Sequence, residues 1–364
     1  MIIAIDGHMI GDNSGGNESY YRNMLISMEV LPSDKVILIL KEGVEFPEVE
    51  EKFEIIRFRS NGFLRYLYEL NLICRKYNVD VLHTQYFIPF FRRCKVVCTI
   101  HDICFEHYKN IFTKKEYIIQ KLLIPYSAKK SDHIITVSNH AKNDIMQMYG
   151  IEEKKITVTY NAVSNQFTKL EKSNHEIKET FQRKYNLSGE FILSVGNLQP
   201  RKNIPRLIKS FALWKNETNS NMKLVIVGKK AWMYDEILEV ASGYSNDIIF
   251  TGYVEEIELI YLYNLASFFV YPSIYEGFGI PPLEAMACGT PVAVSNTSAL
   301  PEVVGDAGIY FDPFNISDIK EKLSLLSNNP NLREKYSEKG INRAKKFDWK
   351  TSSGKLYQVY KLFK

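Results

Sequence analysis

A chain of 364 residues exceeds one average domain and suggests two, each long enough to bury its own core. Hydrophobic residues make up 45% and charged residues 24%, the mix of a globular protein, and a net charge of +4 is too small for the dense basic stripe that nucleic acid demands. Five thinly spread cysteines argue against a disulfide framework, and no run of eighteen apolar residues or basic leader is present, so a cytoplasmic protein that does not span a membrane is expected.

Residues 2–6 read as a first strand. GHMIGDNSGGNESYY follows as a glycine-rich loop into a helix from about 17 to 28, with Asn17 as N-cap. Gly15 and Gly16 just before it form a candidate anion cradle, because glycine admits close approach and a helix start offers unpaired amides. The dinucleotide signature GxGxxG is absent, which removes the main support for a nicotinamide cofactor. Strands are expected near 35–40, 53–57, 79–83, 95–100, 132–137 and 155–159, with helical stretches between them. That alternation implies a parallel sheet covered on both faces.

TIHDICFEH puts His101 and Asp102 at the carboxyl end of a strand, where open α/β sheets bind ligands. A His in that place serves either as a hydrogen-bonded structural residue or as a catalytic one, whereas His107 reads as structural. Ser138 in VSNHAKNDI reads as an N-cap. In IFTKKEYIIQKLLIPYSAKK, Lys114, Lys115, Lys121, Lys129 and Lys130 share about half a helical wheel, as a membrane-facing helix would arrange them. Ile118 and Leu122 fall in the same arc, so the separation is poor and an ordinary domain helix is expected, with peripheral contact at the inner membrane surface as the alternative. Cys94 and Cys98 flank a strand-like run with no second ligand pair, which argues against zinc.

The first domain is placed at 1–165 and a polar linker at 166–188. A second domain, 189–348, restarts with the strand 191–195, a loop carrying Arg201 and Lys202, and a helix capped by Asn203. Arg201 and Lys202 are expected to project from that loop, where two cations would neutralise a diphosphate. MKLVIVG, DIIFTG, SFFVYPS and PVAVSN supply further strands. After SFFVYPS, the stretch EGFGIPPLEAMACGTPV makes a strand-to-helix crossover. Gly277 and Gly279 would let backbone amides approach a phosphate, with Glu276 beside that anion and Glu284 one turn into the helix. A final helix is expected at 349–364. No Asp-any-Asp triplet occurs, so no metal is expected to bridge a diphosphate.

The string from Glu276 through SALPEVVGDAGIYFDP, with its Glu, seven residues, Glu spacing, resembles the nucleotide-sugar site of the GT4 family of retaining glycosyltransferases. The resemblance covers nearly the whole chain and implies the GT-B fold: two Rossmann-like α/β domains with doubly wound parallel sheets facing a cleft, the acceptor bound by the first and the donor by the second, with the last helix, 349–364, crossing back to the first. It implies that Glu276 contacts hydroxyls of the donor sugar and that Glu284 binds the ribose. The backbone from Gly277 through Phe278, Gly279 and Ile280 would hold the diphosphate together with Arg201 and Lys202. The base would rest on the loop at Gly252, Tyr253 and Val254, and His101 would meet the sugar at the transferred bond. The glycine-rich loop at Gly15 and Gly16 departs from the family, with Asn17, Glu18 and Ser19 where many members carry Ile-Gly-Arg. Expected partners are a nucleoside-diphosphate sugar, with a lean toward GDP-mannose, and a saccharide or lipid-linked saccharide acceptor; no separate cofactor is expected. Two rivals are a glycoside hydrolase using Glu276 and Glu284 as its carboxylate pair, and a non-catalytic binding protein on the same fold.

Overall fold

Continuous runs of Ile, Val and Leu bounded by turn residues make strands buried on both faces, and a computed structural model of the chain forms two parallel sheets from them. It describes residues 1–12, 15–59, 62–170, 189–229 and 246–364, together with 179–180, 183–185, 187 and 243. The chain divides into two compact units, Met1–Asn161 with Asp348–Lys364, and Ala162–Phe347. Of the expected linker, residues 171–178, 181, 182, 186 and 188 lie outside the described residues, as do 13 and 14 of the glycine-rich loop.

In the first unit the strands are β1 (Ile2–Asp6), β2 (Lys35–Lys41), β3 (Glu54–Phe58), β4 (Val81–Gln85), β5 (Lys95–Thr99), β6 (His133–Thr136) and β7 (Ile156–Val158), in the order β3-β2-β1-β4-β5-β6-β7. The second unit has β8 (Phe191–Val195), β9 (Lys223–Val227), β10 (Ile248–Gly252), β11 (Phe268–Tyr271), β12 (Val292–Ser295) and β13 (Gly308–Phe311), in the order β10-β9-β8-β11-β12-β13. Both sheets reverse direction once, between β1 and β4 and between β8 and β11. In doubly wound sheets a crevice opens at that reversal, at the carboxyl ends of the strands. The strand β13 was not expected, because GIYF is short and begins on a glycine.

Each sheet is packed by helices whose apolar stripes face it. In the helix Ile204–Thr218, Ile204, Leu207, Ile208 and Phe211 are buried at helical spacing. The helix Lys114–Lys130 starts on a capping box, Thr113 with Glu116, and leaves Ile118, Ile119 and Leu122 exposed. Ser138 caps the helix Asn139–Tyr149 as expected, its Oγ accepting from the Ala141 amide at 3.0 Å. Two other expected caps differ. The first helix runs Gly16–Ile26 with Gly15 as N-cap, which puts Asn17 inside the first turn. Asn203 stands at an N-cap position in left-handed backbone, φ 57°, and makes no capping bond. Its Nδ2 instead donates to the carbonyls of Pro272 (3.1 Å) and Pro313 (2.7 Å), tying the start of its helix to the loops after β11 and β13.

The helix Trp349–Lys361 belongs to the first unit, where Tyr360 hydrogen-bonds His83 Nδ1 at 2.6 Å and Tyr357 donates to Asp34 at 2.6 Å. Among the described residues no helix is long and apolar enough to cross a membrane.

Candidate functional site

The strand-order reversal of the second unit brings the loops after β8 and β11 side by side. Pro200–Lys202 form a single 3-10 turn after β8, and the backbone of Arg201 is stitched to the β11 loop. Its carbonyl accepts from the Ile274 amide at 2.9 Å and from Ser273 Oγ at 3.1 Å. Those bonds fix where the two basic side chains emerge. Arg201 Nη1 donates to Glu276 Oε2 at 2.9 Å and to the Tyr275 carbonyl at 3.2 Å. Lys202 Nζ donates to Glu276 Oε1 at 2.6 Å and also to the Tyr271 hydroxyl. Glu276 Oε1 accepts further from Ser273 Oγ at 2.6 Å and from Tyr271 at 3.0 Å.

Glu276 is therefore the centre of a buried network, 6% exposed, and not a solvated loop residue. Burial works against its charged form, but the charges of Arg201 and Lys202 and the bonds from Lys202 and Ser273 outweigh it and hold the carboxyl at about 2. The expectation that Lys202 projects from its loop is corrected: at 7% exposure it is turned inward, its alkyl stem lying against Gly196 and its ammonium held by Glu276. Arg201 is more open, with a quarter of its side chain accessible.

The helix Ile280–Ala287 follows Gly279, which has φ 110°, and a Cβ there would meet Leu300 Cδ2 at 2.7 Å. Pro281 and Pro282 occupy the first turn and carry no N–H, so the expected row of open helix amides is shorter than at an ordinary helix start. Glu284, one turn on, is partly buried and accepts from the Tyr263 hydroxyl at 2.9 Å. Burial raises its pKa to about 7, only partly offset by Tyr263, with Glu256 adding to the rise. The two carboxylates thus differ: one is a fixed anion, the other is poised near neutrality.

Glycine follows β8 (Gly196) and β9 (Gly228) and closes β10 (Gly252). A Cβ on Gly228, after β9, would lie 2.1 Å from the carbonyl oxygen of Gly196, after β8. Gly228 in turn donates to the Gly252 carbonyl at 3.0 Å. Beyond Gly252, Tyr253 is exposed with Lys229 over its ring at 4.5 Å, and Val254 is buried.

In the first unit His101 sits beyond the end of β5, buried, with Nε2 3.3 Å from Gln85 Oε1 and its ring edge-on to Tyr20 at 4.9 Å. Burial lowers its pKa to about 3, so it is a neutral ring at ordinary pH. Gln85 Nε2, also buried, lacks a hydrogen-bond partner. Asp102 accepts from the Cys104 amide at 2.9 Å, a turn-closing bond, and His107 pairs with Asp144 at 2.8 Å. Gly15 precedes the first helix at φ 69° with Gly16 as its first residue, and Glu18 accepts from the Gly11 amide at 2.8 Å. A carboxylate in that turn disfavours a second anion there. Among the described residues no group of three or more His, Cys, Asp or Glu is placed to hold a metal ion.

Sequence reasoning missed Tyr271, Ser273, Tyr263 and Gln85. The first two had a signal in SFFVYPS, where two polar side chains close an apolar strand two residues apart. The others come from distant segments and had none.

Residues 176–343 match the family model described as glycosyl transferases group 1, and residues 31–167 match that of glycosyltransferase family 4. The chain is 34% identical over 298 residues to O-antigen chain mannosyltransferase B of Escherichia coli, covering 79% of this chain and 76% of that protein. It is 32% identical over 263 residues to the serotype-specific mannosyltransferase WbdA of Escherichia coli, covering 70% of this chain but only 32% of that longer protein. The crystal structure of Anabaena HepE in complex with UDP and glucose superposes with a TM-score of 0.76 at 17% identity, over 98% of each chain.

Proposed function

The chain belongs to glycosyltransferase family 4 and has the GT-B fold, and on that footing we propose that it transfers mannose from GDP-mannose to a saccharide hydroxyl, with retention of configuration, in surface polysaccharide synthesis. The observation that carries this reading is the buried Glu276 held between Arg201 and Lys202 at the sheet's reversal point, beside the amides of Gly277 to Ile280. A hydrolase's carboxylate pair has no use for two cations on one of its members. A departing diphosphate does: its negative charge grows as the bond to the sugar breaks, and cations fixed in advance stabilise that state without reorganising.

In this reading Arg201 and Lys202 share their charge between Glu276 and the diphosphate, and Glu276 orients the sugar through its hydroxyls. Glu284 accepts from the ribose, and the base rests on Gly252 to Val254. His101 is assigned to the N-terminal unit's part of the reaction as a neutral hydrogen-bonding group, and that unit is assigned the acceptor. As the bond from the anomeric carbon to the diphosphate oxygen breaks, the acceptor oxygen bonds the same face of that carbon, and its proton passes to the departing phosphate oxygen. The mannosyltransferase relatives support mannose; the missing acidic triplet supports metal independence. The test is incubation with GDP-mannose and methyl α-mannoside, with EDTA present, following the anomeric proton by NMR. An α-linked disaccharide and GDP are expected. A β-linked product, a requirement for manganese, or release of mannose from glycosides without nucleotide would overturn the corresponding part of the reading.

A further inference from the structure

Within the N-terminal unit, the group that hydrogen-bonds the His101 ring comes from the end of β4. In the parallel register of β4 and β5, Gln85 lies opposite Thr99, which stands two residues before His101. The chain turns sharply after Gln85: the Tyr86 amide donates to the Thr99 carbonyl at 2.8 Å and the Phe87 amide to the Gln85 carbonyl at 2.5 Å. Tyr86 takes φ 56°, a left-handed backbone that is unfavourable for a bulky side chain and persists where the surroundings impose it, as they do around functional groups. The turn sets the Tyr86 ring 5.6 Å from that of His101, while Tyr20, its hydroxyl paired with Thr159 at 2.8 Å, packs edge-on against the imidazole at 4.9 Å. These rings restrain the imidazole but do not decide which of its nitrogens carries the proton. That choice falls to the contact between His101 Nε2 and Gln85 Oε1, 3.3 Å apart. The ring is neutral, so one nitrogen bears a proton and the other a lone pair. An amide oxygen only accepts, so the proton facing it is on Nε2 and the lone pair is on Nδ1. Gln85 is itself 0% exposed, so it meets no substrate and acts through His101. Its Nε2 is left buried without a partner, a cost that packing alone would not require, since a methionine of similar shape has no amide to strand.

We propose that Gln85 is a positioning residue for sugar transfer: its side-chain oxygen holds His101 as the Nε2–H tautomer, so that the ring offers Nδ1 as an acceptor to a substrate hydroxyl. This rests on the reading of the protein as a sugar transferase and adds how its histidine is set for the reaction. The experiment has a spectroscopic and a kinetic arm. The full chain, carrying nitrogen-15 histidine, is measured by long-range proton–nitrogen NMR near neutral pH, with the His101 ring signals identified by their loss in His101→Gln. The parent should show the His101 proton on Nε2. Gln85→Met, similar in shape but without the amide, should show it divided between the two nitrogens. With GDP-mannose and methyl α-mannoside, the kcat of Gln85→Met should fall about three- to tenfold, the worth of one neutral hydrogen bond, with the KM for GDP-mannose unchanged. The urea midpoint should stay at the parent value, because removing the stranded Gln85 amide offsets stranding the ring N–H. A merely structural glutamine would move the midpoint and leave the tautomer alone. A proton on Nδ1 in the parent would overturn the proposal without any variant, since the amide would then donate to the ring. The same tautomer in parent and variant, or a folded variant with the parent's kcat, would also overturn it. If the parent transferred no sugar, the transferase reading would fail on its own, and the hold of Gln85 on the His101 ring would still stand or fall by the two spectra.

Discussion

Glu276 and Glu284 stand eight residues apart on one crossover, and their surroundings drive their ionisation in opposite directions. For Glu276, two cations overcome desolvation; for Glu284, a single tyrosine hydroxyl does not. The second case has a consequence for stability. A carboxyl whose pKa is raised on folding costs nothing while protonated in both states, below its ordinary value of 4.5, and costs most once ionised in both, above about 7. Native stability should therefore carry a penalty that grows as pH rises through that window, by about 1 to 3 kcal/mol when discounted for partial exposure. Glu284→Gln removes the titration and keeps the acceptor for Tyr263. Urea denaturation of parent and variant at pH 5 and pH 8 should show the variant gaining that amount relative to the parent at the higher pH, and an equal difference at both values would refute the assignment. The spacing of the two glutamates was legible in the sequence, and so was the pair Arg201 and Lys202. What sequence could not give is that Lys202 turns inward, because that depends on Gly196 leaving room for its stem, on Tyr271 at the end of β11, and on Glu276, which Ser273 in the following loop helps to hold.

Among elements, the strand ends of the second sheet are what bring the site's loops together. Gly196, Gly228 and Gly252 each follow or close a strand, and their missing side chains let three loops touch. Gly228→Ala would drive a Cβ into backbone, the Gly196 oxygen at 2.1 Å, so relief requires moving a loop and not a rotamer. The expected cost is at least about 2 kcal/mol. Gly15→Ala, at φ 69° with nothing within 4 Å of the added methyl, should cost about 1 kcal/mol from backbone conformation alone. Comparison of urea midpoints checks both; equal losses would show that the close approach is not rigid. The sequence showed those strands to within one or two residues because fully buried parallel strands are unbroken apolar runs. It placed helix starts less well: Asn17 and Asn203 have the composition of caps, yet one is a turn residue and the other spends its side chain on Pro272 and Pro313. Neither use leaves a trace in local pattern.

In the whole molecule the same strand order, with one reversal, is built twice, and the chain ends by returning the helix Trp349–Lys361 to the first unit. Repetition of the order gives each unit its own reversal point, and among the described residues two cations converge on one buried carboxylate at the second, Arg201 and Lys202 on Glu276. At the reversal of the first unit, the one guanidinium of Arg65 faces the buried Asp6 at 3.3 Å. That contrast is the basis for assigning the charged half of a nucleotide sugar to the second unit. It is tested most directly by calorimetric titration of GDP, UDP and ADP into the parent protein and Arg201→Ala. Arg201 is the more exposed cation, so its loss should leave the fold intact, whereas loss of Lys202 would strand Glu276 with one partner fewer in a buried site. GDP should bind the parent, and Arg201→Ala should weaken it about ten- to hundredfold, the worth of a charge-assisted hydrogen bond. Binding of none of the three to the folded parent, or GDP binding equally to parent and variant, would contradict the assignment.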